Sequence, residues 1–173
     1  MPDQPDADVI VIDLEEADPS FQDEVARRRG AERIKLCYAC GACGARCPVQ
    51  DQNPDFDPRR LIRMVVLGLW QELLTGPLIW LCAACYTCQE TCPEKVGFTE
   101  AVFALKNMAV EAGHFPPTMA AQPELLRRHG RLYEITDFEN QKRTELDLPR
   151  IEEKPEHFQV LLDCLQIKAG EKT

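Results

Sequence analysis

The residues best suited to chemistry in this chain are its cysteines, of which there are nine in 173 residues. Eight of them lie in two runs of identical pattern, Cys-x-x-Cys-x-x-Cys-x-x-x-Cys-Pro, at 37–48 and 82–93. Three cysteines spaced three residues apart can converge from one tight loop on one face of a 4Fe–4S cubane, whose iron takes soft thiolate ligands. The fourth cysteine, followed by proline, leaves that loop. The spacing therefore predicts two 4Fe–4S clusters.

The four ligands of each cluster are predicted to come from both runs. In proteins with two such clusters, the fourth cysteine of each run ligates the other cluster, because the two runs pack against each other. The first cluster is accordingly assigned Cys37, Cys40, Cys43 and Cys92, and the second Cys82, Cys85, Cys88 and Cys47. The basic neighbours Lys35, Arg46 and Lys95 are expected to raise a cluster's reduction potential, whereas burial without hydrogen-bond donors would lower it.

Other uses of these cysteines are less favoured. Structural zinc also uses Cys-x-x-Cys pairs, but it would leave the third cysteine and the proline of each run unexplained. A disulfide framework is disfavoured because no export signal is found, which predicts a reducing cytoplasm. The ninth cysteine, Cys164, lies among leucines and is expected to be a small buried apolar residue. A third metal or redox site there is the alternative.

Each cysteine run is followed by an apolar helix, so the two halves form an internal duplication. In the first half, Asp57 is the predicted N-cap of a helix with an unbroken apolar stripe over 61–73. We expect this helix to end at the pair Gly76-Pro77. In the second half, a helix is expected to start at Thr99 and to end near Gly113.

Charge and composition divide the chain into three predicted parts. Residues 1–24 hold nine of the 29 acidic residues and no Lys or Arg, so the net charge of −9 comes entirely from this segment. We therefore predict an acidic N-terminal arm over 1–29, a two-cluster domain over 30–113 and a C-terminal extension over 114–173. The arm is interpreted either as a solvated segment or, at 9–14, as an edge strand added to a partner's sheet.

The C-terminal extension is expected to wrap over the domain or to lie on a partner. Its sequence predicts a short helix over 118–129, an extended charged segment over 139–157 and a final short helix over 158–167. The histidines of the chain share no metal-ligand spacing and are expected to be solvated or locally hydrogen-bonded.

Several classes of function are disfavoured by composition and motifs. A pI near 4.9 and 7% aromatic residues disfavour a surface that binds nucleic acid. The longest uncharged stretch, 73–89, contains a Gly-Pro pair and three cysteines, so no transmembrane segment is expected. There is no paired-carboxylate constellation and no nucleotide-binding loop, and no catalytic residue is assigned.

The residues around the cysteines resemble the family of heterodisulfide reductase C subunits and, more broadly, the α-helical ferredoxin domain of succinate dehydrogenase iron–sulfur subunits. The resemblance rests on CYACGAC at 37–43, DPRRLIRM at 57–64, IWLCAACYTCQETCP at 79–93 and the tail at 130–143. It implies an all-α fold, an α-helical ferredoxin domain with two pseudo-symmetric cluster-binding halves and extended N- and C-terminal arms.

The same resemblance implies an electron-transfer subunit that does not itself catalyse a reaction. In that family it joins a flavin-containing A subunit to a cysteine-rich B subunit that cleaves a disulfide. This chain has no Cys-Cys pair and no flavin fingerprint, so those chemistries would belong to partners. A free-standing soluble dicluster ferredoxin that shuttles electrons is the main alternative, and a redox-sensing module is a third.

Overall fold

The computed structural model describes residues 16–164 and confirms the all-α prediction, because every regular element in that range is helical. The chain divides into two compact units at 114/115. The first unit contains α1 (Phe21–Ala26), α2 (Ala42–Ala45), α3 (Pro48–Gln52), α4 (Pro58–Leu67), α5 (Trp70–Thr75), α6 (Thr87–Thr91) and α7 (Phe98–Glu111). The second contains α8 (Pro117–His129), α9 (Asp137–Glu145) and α10 (Glu156–Cys164). No helix among the described residues is long and apolar enough to cross a membrane.

The core of the first unit lies between α4 and α7, the helices that follow the two cysteine runs. Helices α1 and α5 pack against both of them, while α2 and α6 pack against each other. Phe56, two residues before α4, and Phe98, the first residue of α7, meet edge to face with their ring centroids 6.4 Å apart. The largest fully buried apolar side chains are Phe56, Ile34, Leu61, Leu73, Ile79, Leu105, Val25, Val65 and Val102. The duplicated halves thus share one core.

The apolar helix predicted after the first cysteine run is interrupted, so the prediction of one continuous helix was wrong. Helix α4 ends at Gly68, whose φ of 78° lies in the left-handed region, and α5 begins at Trp70. The amide N–H of Asp18 donates to the carbonyl oxygen of Gly68 at 2.9 Å. A side chain on Gly68 would overlap the Asp18 backbone, because its Cβ would lie 2.9 Å even from the Asp18 nitrogen. The break therefore makes room for the incoming N-terminal segment.

The second apolar helix starts one residue earlier than predicted. Helix α7 begins at Phe98, and its N-cap is Gly97, with a φ of 72°. Thr99 consequently lies inside the first turn and is 1% exposed. Its hydroxyl is therefore free to contact another element instead of capping the helix.

Part of the segment predicted as an acidic arm forms α1. Phe21 and Val25 of this helix are buried in the core of the first unit. Arg28, just after the helix, makes a bidentate ion pair with Glu111 at 2.7 and 3.0 Å. The two interpretations of residues 9–14, a solvated segment or an edge strand, fall outside the described residues.

The second unit has one more helix than the sequence predicted. The segment 139–157 was expected to be extended, but α9 covers Asp137–Glu145, so this expectation was wrong. A capping box starts the helix. The Thr136 side-chain oxygen accepts a hydrogen bond from the Glu139 N–H, and the Glu139 carboxylate accepts one from the Thr136 N–H at 2.9 Å. The sequence prediction gave more weight to the charged composition of 139–157 than to this capping box, and so it missed the helix.

Two buried polar side chains hold the second unit together. The Asn140 side-chain amide donates to the carbonyl oxygen of Ile151 at 3.1 Å, and its carbonyl oxygen accepts from the Ile151 N–H at 2.8 Å. The Nδ1 atom of His129 lies 3.1 Å from both carboxylate oxygens of Glu153. The expectation of a locally hydrogen-bonded histidine is confirmed at His129, which is 9% exposed.

The burial predicted for Cys164 was wrong. Helix α10 packs on α8 and buries Leu162, which is 4% exposed. Cys164 lies two residues further, about 200° around the helix axis, and is exposed. Leu161 and Leu162 therefore do not cover it.

Candidate metal centre

The two cysteine runs adopt matching backbone conformations. A 3-10 helix leads into the first cysteine of each run, at Ile34–Leu36 and at Leu78–Leu81, and a short helix carries the third cysteine. Left-handed residues recur at the same two positions, Ala39 and Gly41 in the first run and Ala84 and Tyr86 in the second, with φ between 52° and 85°. These left-handed residues turn the chain tightly enough for three cysteines to share one face.

A first cavity lies between the first cysteine run and the end of the second. Four of its lining residues are the predicted ligands of the first cluster, namely Cys37, Cys40, Cys43 and Cys92. Ile62, Val96 and Phe98 form its apolar wall, and Arg59 lies at its edge. The space amounts to about 370 Å³, part of it open to solvent.

A second cavity lies between the second cysteine run and the end of the first. Its cysteines are the predicted ligands of the second cluster, namely Cys47, Cys82, Cys85 and Cys88. Phe56, Tyr86 and Thr99 are among its other lining residues, and its space amounts to about 280 Å³, again partly open to solvent. Cys88 and Phe98 line both cavities, so the two spaces are immediate neighbours. The structure therefore places the fourth cysteine of each run beside the other run.

The donor set fits iron–sulfur clusters chemically. All nine cysteines, which lie within the described residues, are free thiols. Among residues 16–164, no three side chains of Cys, His, Asp or Glu are placed to hold a single metal ion. A four-iron cluster is wider than one zinc ion, and its sulfur ligands are correspondingly farther apart.

The protein environment changes the pKa values of the cysteine thiols unequally. Burial raises the pKa of Cys43 to about 11 and also raises the pKa of Cys88. A hydrogen bond with Thr87 lowers the pKa of Cys85, which is exposed. Because metal ligands must be deprotonated, cluster binding by Cys43 and Cys88 would release protons at neutral pH.

Hydrogen-bonding groups approach four of the eight sulfurs. The Cys85 thiol donates to the Thr87 hydroxyl oxygen at 3.5 Å, Cys88 Sγ and the Thr99 hydroxyl oxygen lie 3.5 Å apart with either able to donate, and the Gly44 backbone bonds Cys43. The backbone N–H of Val96 donates to Cys92 Sγ, also at 3.5 Å. Both hydroxyl contacts belong to the second cavity.

Charged side chains also differ between the cavities. Asp57 caps α4 by accepting from the Arg59 N–H at 2.8 Å, and its other oxygen lies 3.4 Å from the Arg59 guanidinium. Beside the second cavity, Lys106 Nζ donates to the carbonyl oxygen of Cys82 at 3.4 Å. Of the basic residues predicted to act on the clusters, Lys35 forms an ion pair with Asp23.

The sequence did not identify Thr87, Thr99 or Lys106 as residues of the site. Thr99 was interpreted as a helix cap, as Asp57 is in the first half. The available signal was the duplication itself, because Asp57 and Thr99 each follow an aromatic residue, Phe56 and Phe98. The difference in chemistry between these two residues marks where the halves can differ in function.

The helical fold and two adjacent cysteine cavities define a two-cluster ferredoxin-type electron carrier. Residues 33–96 match the family described as a 4Fe-4S dicluster domain. The chain accordingly carries two 4Fe–4S clusters, which confirms the cofactor prediction.

Comparison with characterised proteins specifies the family further. The chain is 32% identical over 140 residues to the C subunit of the ferredoxin:CoB-CoM heterodisulfide reductase of Methanosarcina mazei, covering 81% of this chain and 84% of the relative. It is 32% identical over 135 residues to the C subunit of the ferredoxin/F(420)H(2)-dependent CoB-CoM heterodisulfide reductase of Methanosarcina acetivorans, covering 77% and 83%. Against the C subunit of the H(2):CoB-CoM heterodisulfide,ferredoxin reductase of Methanothermobacter marburgensis, identity is 29% over 149 residues, covering 86% and 80%. The chain belongs to the family of heterodisulfide reductase C subunits, as the resemblance predicted.

Proposed function

We propose that this chain is the electron-relay subunit of a heterodisulfide-reductase-like complex, in which it passes single electrons through its two clusters. The observation that carries the proposal is the pair of neighbouring cysteine cavities, which share Cys88 and Phe98. Clusters bound there would be close enough to exchange electrons. One cysteine of each cavity, Cys40 or Cys85, is exposed, so each cluster would also approach the protein surface.

The proposed ligands are crossed between the runs, as the cavity linings support. The first cluster is held by Cys37, Cys40, Cys43 and Cys92, and the second by Cys82, Cys85, Cys88 and Cys47. Anaerobically purified protein should then contain about eight irons per chain and give the EPR signals of two reduced 4Fe–4S clusters. Two zinc ions and no iron would overturn the proposal.

Four single Cys→Ser variants test the crossing. Cys40→Ser and Cys85→Ser define the EPR change that each cluster shows when a ligand from its own run is lost. Crossed ligation predicts that Cys47→Ser reproduces the change seen in Cys85→Ser, and that Cys92→Ser reproduces the change seen in Cys40→Ser. The opposite pairing would mean that each run ligates a single cluster. Cys164→Ser is the matched control and should leave both signals unchanged.

The proposed partners are a flavoprotein, which would supply the flavin, and a cysteine-rich catalytic protein. Each of the three relatives is named as the C subunit of a reductase, and this chain has neither a flavin fingerprint nor a Cys-Cys pair. The free thiols of all nine cysteines, all within residues 16–164, support a reducing compartment, which we propose is the cytoplasm.

Anaerobic size-exclusion chromatography of native extract tests the partnership. We expect the chain to elute in a complex that contains flavin and more iron than eight atoms per copy of this chain. Elution at the mass of the chain itself, 19.6 kDa, would instead support the shuttle ferredoxin.

A further inference from the structure

We propose that the cluster bound by Cys82, Cys85 and Cys88 has a more positive reduction potential than the cluster bound by Cys37, Cys40 and Cys43. The residues that set this order are Thr99 and Asp57, which follow the paired aromatic residues Phe98 and Phe56 in the sequence. An electron that enters the chain would then settle on the second cluster. The inference rests on the proposed two-cluster function and is argued only from the three ligands that each run gives to its own cluster.

Hydroxyl donors favour reduction of the second cluster. Once Cys88 is a deprotonated ligand, its sulfur can only accept, so the Thr99 hydroxyl at 3.5 Å becomes the donor. The same holds for Thr87 and Cys85, also at 3.5 Å. Reduction adds a negative charge to the cluster, and a donor to its sulfur stabilises the more negative form. Thr99 is buried, so water does not compete with it for Cys88.

In the first half, the residue that follows the aromatic residue Phe56 is a carboxylate, Asp57. Asp57 Oδ1 lies against Gly44, the residue after Cys43, such that a Cβ on Gly44 would be only 3.3 Å from it. Its negative charge disfavours an added electron on the nearby cluster. The Arg59 guanidinium lines this cavity and pairs with Asp57 at 3.4 Å, so the two charges partly offset each other. Solvent screens the Arg59 charge more, because 48% of its side chain is exposed against 16% for Asp57.

A cation near the second cluster further raises its reduction potential relative to that of the first. Lys106 is half-buried and donates to the Cys82 carbonyl oxygen, and no described carboxylate within residues 16–164 forms an ion pair with it. Solvent exposure does not separate the halves, because Cys40 and Cys85 are both exposed. Cys88 is more buried than Cys43, which opposes the proposed order, but it also has the hydroxyl donor that Cys43 does not share.

Redox titration of the anaerobic holoprotein, followed by EPR, tests the order. The wild type should show two reduction steps. Thr99→Val keeps the side-chain shape and removes the hydroxyl, and it should lower the equilibrium constant of the more positive step about tenfold, which is about 59 mV for one electron. Thr99→Ser keeps a hydroxyl and should restore the wild-type value. Thr87→Val is a second probe of the same step if Thr99→Val fails to fold.

The matched variant in the first half is Asp57→Asn, which retains a good helix cap and removes the charge. It should raise the equilibrium constant of the more negative step about threefold, because the charge is partly screened. If Thr99→Val moves the more negative step, the proposed order is reversed. If neither Thr99→Val nor Thr87→Val moves a step, the hydroxyls are not donors to the clusters. Fewer than eight irons in the wild type would instead contradict the two-cluster function itself.

Discussion

Replacing Gly68 by alanine should measure how much the contact between the N-terminal segment and the end of α4 stabilises the first unit. Gly68 ends α4 in the left-handed region, and its carbonyl oxygen accepts from the Asp18 N–H at 2.9 Å. A methyl group at this position would overlap the Asp18 backbone. The segment leading into α1 would have to move away, and Phe21 of that helix would lose part of its burial.

The expected cost is the sum of a conformational and a packing contribution. An alanine in the left-handed region costs about 1–2 kcal/mol. Displacing the segment adds about 1 kcal/mol for the hydrogen bond and about 1–2 kcal/mol for partial exposure of Phe21. Gly68→Ala should therefore lower the free energy of unfolding by about 3–5 kcal/mol. Gly113 is the matched control, since its φ is 82° and a Cβ there meets nothing within 4 Å. Gly113→Ala should cost only about 1–2 kcal/mol.

Urea unfolding of the anaerobic holoprotein measures both variants. Far-UV circular dichroism follows the helices, and the visible absorbance of the clusters follows the first unit. The midpoint should fall in both variants, and clearly further in Gly68→Ala. In thermal unfolding the two should differ by about 4–12 °C, at roughly 2–4 °C per kcal/mol. Equal midpoints would refute the reasoning, because they would show that the contact with Asp18 adds nothing to the cost of the backbone conformation.

Two further predictions concern the second unit. Hydrogen bonds from the Ile135 N–H and the His129 ring lower the pKa of the Glu153 carboxyl. The contribution of Glu153 to the free energy of unfolding is therefore complete above about pH 4.3 and is lost as the pH falls through the lowered pKa. Glu153→Gln should reduce the loss of stability at acid pH, and an unchanged dependence of the unfolding free energy on acid pH would contradict the prediction. Asn140→Ala leaves the partly buried N–H and carbonyl of Ile151 without their Asn140 partners, at a cost of about 2 kcal/mol. Hydrogen exchange of the Ile151 amide should therefore speed up about 30-fold, and unchanged protection would show that Asn140 is dispensable.

The sequence predicted the cofactor, the helical fold and the family, because these depend on local patterns. Ligand spacing along the chain limits which metal centre a loop can wrap, and helical periodicity is visible over a single turn. The sequence did not predict the break between α4 and α5 at Gly68, because the apolar stripe runs unchanged over 61–73. The cause of the break is a contact with Asp18, which is far away in sequence. The helix over 137–145 was missed for a different reason: its capping box at Thr136 was present but was outweighed by composition.

The eight cysteines and their two equal spacings determine by themselves that the chain can hold two clusters, because each run contributes three ligands from one short loop. Packing decides what surrounds each sulfur. Thr99 and Asp57 each follow an aromatic residue in the sequence, yet only the folded chain shows the Thr99 hydroxyl beside Cys88 and the Asp57 carboxylate at the cap of α4. Such contacts join residues from different elements, and a few ångströms determine their strength. Similar halves can therefore hold clusters that differ in how readily they accept an electron.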